Sequence, residues 1–226
     1  MKRYPAINNG KTGAQQAQLL RDARILRRRL SQDGANCQKQ DGTGGRLTQN
    51  RPILVALCGL PGAGKTYFAR ELTKLIPFCV LESDRIRKAL VPKPKYTPGE
   101  HSRVFNVCHL LIEDYLSQGR RVLFDATNLT ENFRLPLRQI SRRQNARLVL
   151  VMLTAPRDII RQRLQDREEE RESGLHPGNY SDATWPIYCR LAPYEEPVEG
   201  DHLSVDTSAD ISRTVEDVAS LATAFT

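Results

Sequence analysis

Apolar positions along this chain fall into short runs separated by stretches with a helical period. Pro52 to Cys58 (Pro-Ile-Leu-Val-Ala-Leu-Cys) is a run fit for a strand buried on both faces. Tyr67 to Leu75 then shows helical spacing through Phe68, Leu72 and Leu75. Phe78 to Glu82 predicts a second strand, ending at Ser83-Asp84 before a helical Arg85 to Leu90, and prolines at 92, 94 and 98 break order over Val91 to Gly99. His101 to Gln118 predicts a longer helix with Val104, Val107, Cys108, Leu111 and Leu116 as its buried stripe and Gly119 as its stop. Arg121 to Asp125 predicts a third strand, and Asn132 to Asn145 a helix whose start Pro136 should delay. Leu148 to Leu153 makes a fourth strand, Asp158 to Glu172 a highly charged helix, and Leu203 to Asp206 a short fifth strand before a last helix near Val215 to Ala222. Five strands alternating with helices predict a three-layer α/β fold with a parallel sheet covered on both faces. Ligands in such sheets sit beyond the carboxyl ends of the strands, where Asp84 and Asp125 fall.

The first fifty residues read differently. Ala14 to Leu30 carries Leu19, Leu20, Ala23, Leu26 and Leu30 on a helical period, with Arg21, Arg24, Arg27, Arg28 and Arg29 around the remainder. Ser31 to Arg51 is rich in Gln, Gly, Asp and Asn and reads as a flexible linker. The expected organisation is therefore a basic helix and linker over residues 1–50 and one domain over 51–226. Two readings of the helix stand side by side: a grip for RNA or another acidic surface, and a helix that packs its apolar stripe on the body or on a second subunit. An organelle-targeting peptide is a weaker third, because serine is scarce.

Charge sharpens that division. Residues 1–51 hold 11 Lys/Arg against 3 Asp/Glu, which leaves 23 groups of each sign in residues 52–226 of a chain whose net charge is +8. The body is formally neutral, so it lacks the broad basic surface of a duplex binder, although an enzyme acting on a strand terminus needs fewer phosphate contacts. The five cysteines at 37, 58, 79, 108 and 189 lack CxxC spacing and read as reduced core residues. No apolar stretch approaches the ~18 residues of a membrane span, and no signal-peptide core follows Met1, so no membrane association and a cytoplasmic setting are expected.

Between the first strand and the first body helix lies Gly59-Leu60-Pro61-Gly62-Ala63-Gly64-Lys65-Thr66, a GxxxxGKT phosphate-binding loop. Its glycines let consecutive N–H groups turn inward at the positive end of a helix, so a polyphosphate meets donors already in place. Gly59, Pro61, Gly62, Ala63, Gly64, Lys65 and Thr66 are the expected nucleotide-binding residues. Lys65 should reach the β- and γ-phosphates of ATP, and the Thr66 hydroxyl should ligate a Mg²⁺ bridging them.

With the loop, Ser83-Asp84-Arg85-Ile86-Arg87, Asp125-Ala126-Thr127-Asn128-Leu129, Arg163-Leu164-Gln165-Asp166-Arg167 and Ser181-Asp182-Ala183 complete a pattern over most of residues 52–226. It resembles the P-loop kinases related to phage polynucleotide kinase, zeta toxins, chloramphenicol phosphotransferase and gluconate kinase. The resemblance implies strand order 2-3-1-4-5 and a helical lid, with Asp84 about 10 Å across the sheet edge from the phosphate-loop strand. It also implies Asp84 as the carboxylate that takes the acceptor hydroxyl's proton, and Arg87 as the residue holding an acceptor group or the moving phosphoryl. The structural alternative is an N-capping Asp84 with Arg87 as its surface partner. Asp125 resembles the acid that holds Mg²⁺ through water; a strand-end aspartate is otherwise a turn former. Arg163 and Arg167, four apart, would close over the phosphates, although mixed charge along residues 158–172 equally describes a solvated helix. Thr127 and Asn128 should line the acceptor side, Asn128 alternatively capping the next segment, and Thr207 and Ser208 should lie near adenine. The histidines at 101, 109, 176 and 202 share no metal-ligand spacing and read as incidental. Trp185, Tyr188 and Tyr194 read as core packing more readily than as base-stacking groups.

These readings converge on an ATP- and Mg²⁺-dependent kinase acting on a hydroxyl. A polynucleotide 5′-hydroxyl fits the aspartate-arginine pair and the basic helix; a sugar, nucleoside or antibiotic hydroxyl fits the neutral body. A non-catalytic ATP-binding module is the rival class. A GTPase is disfavoured, because Asp125 is followed by Ala126-Thr127-Asn128 and not by the Asp-x-x-Gly of a switch.

Overall fold

The computed structural model of the chain describes residues 12–32, 51–173 and 181–224. Strand β1 (Ile53–Cys58) is buried at all six positions because both of its faces are covered. Its alternate residues divide between two cores: Leu54, Ala56 and Cys58 join one apolar cluster, Ile53, Val55 and Leu57 the other. β2 (Cys79–Glu82), β3 (Val122–Asp125), β4 (Arg147–Thr154) and β5 (Leu203–Asp206) complete a five-stranded sheet of order β2-β3-β1-β4-β5. Every pairing in it is parallel, as the strand-helix alternation requires. Register places Leu57 opposite Asp125 and Asp125 opposite Glu82, so three strand ends meet at one edge.

The helices are α1 (Gly13–Gln32), α2 (Lys65–Leu75), α3 (Ser83–Leu90), α4 (Pro98–Ser117), α5 (Glu131–Arg143), α6 (Arg157–Glu172), α7 (Trp185–Leu191) and α8 (Ser212–Thr223), with a 3-10 turn at Ala192–Tyr194. α2 and α8 cover one face of the sheet through Phe68, Leu72, Val215 and Val218. α4 and α5 cover the other through Val104, Leu111, Phe133 and Leu137. A third, smaller cluster of Leu60, Leu129, Ile160, Leu164 and Tyr188 seats α6 and α7 directly over the phosphate loop.

Of the two readings of the N-terminal helix, packing on the body is the one observed, within one chain. Leu19, Leu26 and Leu30 enter the main core on the flank of α4, and buried Asp22 takes a 2.8 Å hydrogen bond from Arg103. The expected linker lies outside the described residues, apart from Ser31 and Gln32, which continue the helix, and Arg51.

Three expectations need correction. α5 starts at Glu131, with Pro136 inside it. Thr130 O accepts from Phe133 N and Arg134 N, and the Arg134 guanidinium reaches back to Asn128 O, which pins the first turn ahead of the proline. α4 starts at Pro98, three residues early: Thr97 caps it by accepting from Glu100 N, and proline suits the first turn. Cys79 is disulfide-bonded, so the five cysteines are not all reduced; Cys58 and Cys108 are buried thiols and Cys189 an exposed one.

Candidate active site

The phosphate loop leaves β1 with Gly59 at φ 132° and enters α2 through Gly64 at φ 85°, both in the region that excludes ordinary side chains. A Cβ on Gly59 would stand 2.3 Å from Leu153 O, and one on Gly64 would stand 2.8 Å from Thr207 Oγ1. Gly64 is also the N-cap of α2, so no side chain occupies the amides of the first turn and they stay available to an anion. Lys65 Nζ donates to Gly59 O at 3.0 Å and Leu60 O at 2.9 Å, which fixes the ammonium over the loop. Burial pulls its pKa down, while Asp125 and Asp84 hold the charge in place.

Thr66 Oγ1 donates to Asp125 Oδ2 at 2.8 Å. Burial raises the Asp125 carboxyl, and Lys65 and the Thr66 hydroxyl oppose it. A hydroxyl beside a carboxylate is a hard-oxygen donor set suited to Mg²⁺. Among the described residues no cluster of three or more His, Cys, Asp or Glu could cage a metal. The pair therefore fits an ion completed by phosphate oxygens and water.

Asp84 lies in the first turn of α3, with Glu82 at the N-cap position, so the capping alternative does not hold. Burial raises its carboxyl, with Arg87 and Lys65 pulling it down and Asp125 adding to the rise; the Ser181 hydroxyl also bonds to it. Asp84, Lys65, Thr66 and Asp125 line one cleft of about 1050 Å³. Glu82 lines it too, and burial together with Asp125 raises its carboxyl to about 7.

Arg87 is not the surface partner of Asp84. Its side chain is 4% exposed and its Nη1 donates to Glu100 Oε1 at 2.6 Å. Nη2 donates to His101 Nδ1 at 3.2 Å, and the guanidinium stands 4.8 Å from the Tyr96 ring centre. Burial alone would raise Glu100, but its bonds from Lys95 N, Arg87 and Tyr96 N together hold it below the usual carboxylate range. Tyr96 has φ 54°, a strained value for an aromatic residue, and its hydroxyl donates to Asp182 Oδ2 at 2.7 Å. Lys88 reaches the other oxygen of Asp182 at 2.8 Å. Sequence reading missed Tyr96 and Glu100 altogether and named Asp182 only as part of a motif. The signal for Glu100 was present: Thr97-Pro98-Gly99-Glu100 has the form of a capping box with proline in the first turn. His101 is not incidental either, since it lines the cleft between Phe105 at 4.4 Å and Phe133 at 5.1 Å. Burial, with Arg87 beside it, lowers its pKa to about 4 and keeps the ring neutral.

The two lid arginines part company. Arg163 donates to Thr207 Oγ1 at 2.8 Å and to Thr207 O at 2.7 Å, and Thr207 Oγ1 lies within bonding distance of Ala63 O and Thr154 O. Arg163 thus clamps the β5–α8 turn onto the phosphate loop. Arg167 faces the cleft, makes no hydrogen bond or ion pair among the described residues, and sits within the electrostatic reach of Asp125 and Asp84.

Thr127 lines the cleft, but Asn128 does not. Asn128 is fully buried at φ 44°, and its Nδ2 donates to Leu57 O at 2.7 Å, tying the β3 turn to β1. Arg134, 1% exposed, holds that turn from the other side through Asn128 O and Glu131, and reaches Pro197 O at 2.7 Å. Nothing in the periodicity of α5 marks an arginine as buried. Trp185 and Tyr188 stack at 4.8 Å, with Arg157 and Arg161 over the tryptophan, as core packing predicted; Tyr194 instead lines the cleft.

Comparison with known proteins agrees with this geometry. Solved structures at low sequence identity share the fold, three of them as follows. Kti12 from Chaetomium thermophilum, bound to ADP-AlF3, has TM-score 0.57 at 17% identity, covering 75% of this chain and 98% of that one. The Mycobacterium tuberculosis APS kinase CysC, bound to AMPPNP and APS, has TM-score 0.53 at 16% identity, covering 76% and 98%. A gluconokinase from Sinorhizobium meliloti 1021 has TM-score 0.52 at 16% identity, covering 77% and 94%. A family model described as an AAA domain matches residues 54–180, which include the phosphate loop, Asp84, Asp125 and Arg167. The chain therefore belongs to this AAA domain family and has the α/β fold of P-loop kinases.

Proposed function

We propose that the protein is a cytoplasmic, ATP- and Mg²⁺-dependent phosphotransferase that moves the γ-phosphoryl group to an alcohol, with a polynucleotide 5′-hydroxyl as acceptor. The observation that carries this reading is Asp84, a half-buried carboxylate in the same cleft as Lys65, Thr66 and Asp125. In the reaction the acceptor oxygen attacks the γ-phosphorus in line, and its proton passes to an Asp84 oxygen. The bond from the γ-phosphorus to the β,γ-bridging oxygen breaks, and ADP leaves. The loop amides and Lys65 hold the β- and γ-phosphates, and Arg167, with no protein partner of its own among the described residues, neutralises the transferring oxygens. Thr66 and Asp125 would hold the Mg²⁺, which supplies charge neutralisation across the β- and γ-phosphates. Arg163 acts on nucleotide binding through the loop it clamps. Arg87, committed to Glu100, shapes the acceptor wall and moderates the rise in Asp84.

The reading is tested by following labelled γ-phosphoryl from ATP to RNA and DNA 5′-hydroxyl ends and to a panel of sugars, nucleosides and antibiotics. Transfer should depend on Asp84 and climb with pH, along a limb set above that of an ordinary aspartate, because burial raises the base that must be ionised. Transfer to the small molecules alone would favour the second reading, which the formal neutrality of residues 52–226 supports. ATP binding without any product would mark a non-catalytic module.

A further inference from the structure

Half of the chain's surplus positive charge is held in a place the reaction does not use: α1 carries five arginines against one aspartate in a chain of net charge +8. α1 spends its apolar face on α4 through Leu19, Leu26 and Leu30. It also closes an ion pair from Asp22 to Arg103 and another from Arg27 to Asp114. What remains outward is Arg21, Arg24, Arg28 and Arg29, all exposed and without a hydrogen bond or ion pair among the described residues. Several arginines of the body are matched by contrast: Arg87 to Glu100, Arg134 and Arg138 to Glu131, Arg143 to Glu113. A helix docked this firmly, with one face neutralised and the other left as bare guanidinium groups, is complementary to a repeated negative charge.

We infer that the outward face of α1 is a docking surface for the phosphate backbone of a polynucleotide strand whose 5′ end enters the cleft. The inference rests on the phosphotransferase reading and names the partner of that same site. Arg21, Arg24 and Arg28 are spaced three and four apart and so form one stripe. At 1.5 Å per residue it is about 10 Å long. That length spans about three phosphates at ~3.4 Å per nucleotide of a stacked strand.

The direction of the stripe fits. Asp22 meets Arg103 near the start of α4 and Arg27 meets Asp114 near its end, so the two helices run the same way. The first turns of α4 supply Pro98, His101 and Phe105 to the cleft, which places the Arg21 end of the stripe on the cleft side. Lys93 and Lys95 lie exposed on the segment joining α3 to α4, the two helices α1 touches, and Lys95 lines the cleft itself. A membrane surface fits less well. Only Leu20 and Ile25 remain as large apolar groups on the outward face, 53% and 51% exposed, and an interfacial helix needs a whole apolar stripe to insert.

The test uses the full chain and 20-nucleotide RNA and DNA strands with free 5′-hydroxyls, read by fluorescence anisotropy across a salt series. The triple variant Arg21→Gln, Arg24→Gln, Arg28→Gln should bind at least about tenfold more weakly at low salt. The slope of log affinity against log salt should shrink by about 2, from ~0.7 per lost contact. Melting temperature and oligonucleotide-independent ATP turnover should not move. Unchanged affinity and slope overturn the inference. So do tighter binding to anionic phospholipid vesicles than to the strands, displacement by polyglutamate as effective as by nucleic acid, or no strand binding by the unmodified protein. Arginine-dependent binding without transfer to the 5′ end keeps the surface and removes only the polynucleotide as acceptor.

Discussion

The two walls of the cleft are built on different principles. The donor wall is main chain: glycine geometry, free amides at the start of α2, and a lysine and a threonine held by bonds of 2.8 to 3.0 Å. The acceptor wall is side chain: Arg87, Glu100, Tyr96, Asp182 and Lys88 joined end to end around Asp84. Backbone cradles bind what all nucleotides share, whereas a wall of linked side chains can be rebuilt by substitution without disturbing the cradle. Under the proposed phosphotransferase reading, acceptor choice has its physical seat in residues 84–101 and 181–194.

Substitutions can separate the walls. The largest effect is expected from Asp84→Asn, which should lower transfer by about 10²- to 10⁴-fold while ATP affinity stays within about twofold. A parallel loss of ATP affinity, measured with a fluorescent analogue, would dissolve the distinction. Glu100→Ala leaves the buried Arg87 guanidinium without its carboxylate and should cost about 3 kcal/mol in a denaturant titration. Its effect on the nucleotide affinity of the folded protein should be small. Gly64→Ala works on the opposite wall: a side chain at φ 85° against Thr207 should weaken ATP binding about 100-fold with little unfolding.

The smallest effect concerns Glu82, where the walls meet. Its carboxyl sits at about 7 against an ordinary 4.5, so between those values the folded protein keeps a proton that the unfolded chain releases. Glu82 should therefore make stability fall as pH rises through that window, and Glu82→Gln should remove its share of the fall. At pH 8 the variant should be more stable by on the order of 2 kcal/mol, and at pH 4 indistinguishable, by thermal melts across pH.

The donor wall was legible in the sequence because it is contiguous: strand, loop and helix follow within residues 53–75, and local backbone rules set each step. The sheet was legible because buried parallel strands leave unbroken apolar runs. The acceptor wall was not, because its bonds join residues 13, 86 and 94 positions apart. Asp84 stood out through its motif, but its neighbours Tyr96 and Glu100 lie in a proline-rich stretch without period. Arg134 was invisible for a related reason: besides Glu131 one turn back, its partners are carbonyls of residues 128, 196 and 197, and only folding brings them to a guanidinium. Asn128 was misplaced because a side chain can as well tie two strands together as face a ligand, and only its bond to Leu57 O distinguishes the two.

Thr207 carries a consequence for how the protein comes into being. Its hydroxyl meets Ala63 O from 144 positions further along the chain, and Arg163 fastens it there. During synthesis the glycine turn emerges early, yet the buttress behind it emerges only after β4, α6 and β5. A ribosome-bound fragment ending before that threonine should fold much of its sheet and still fail to retain nucleotide, so capacity for ligand arrives as one late event.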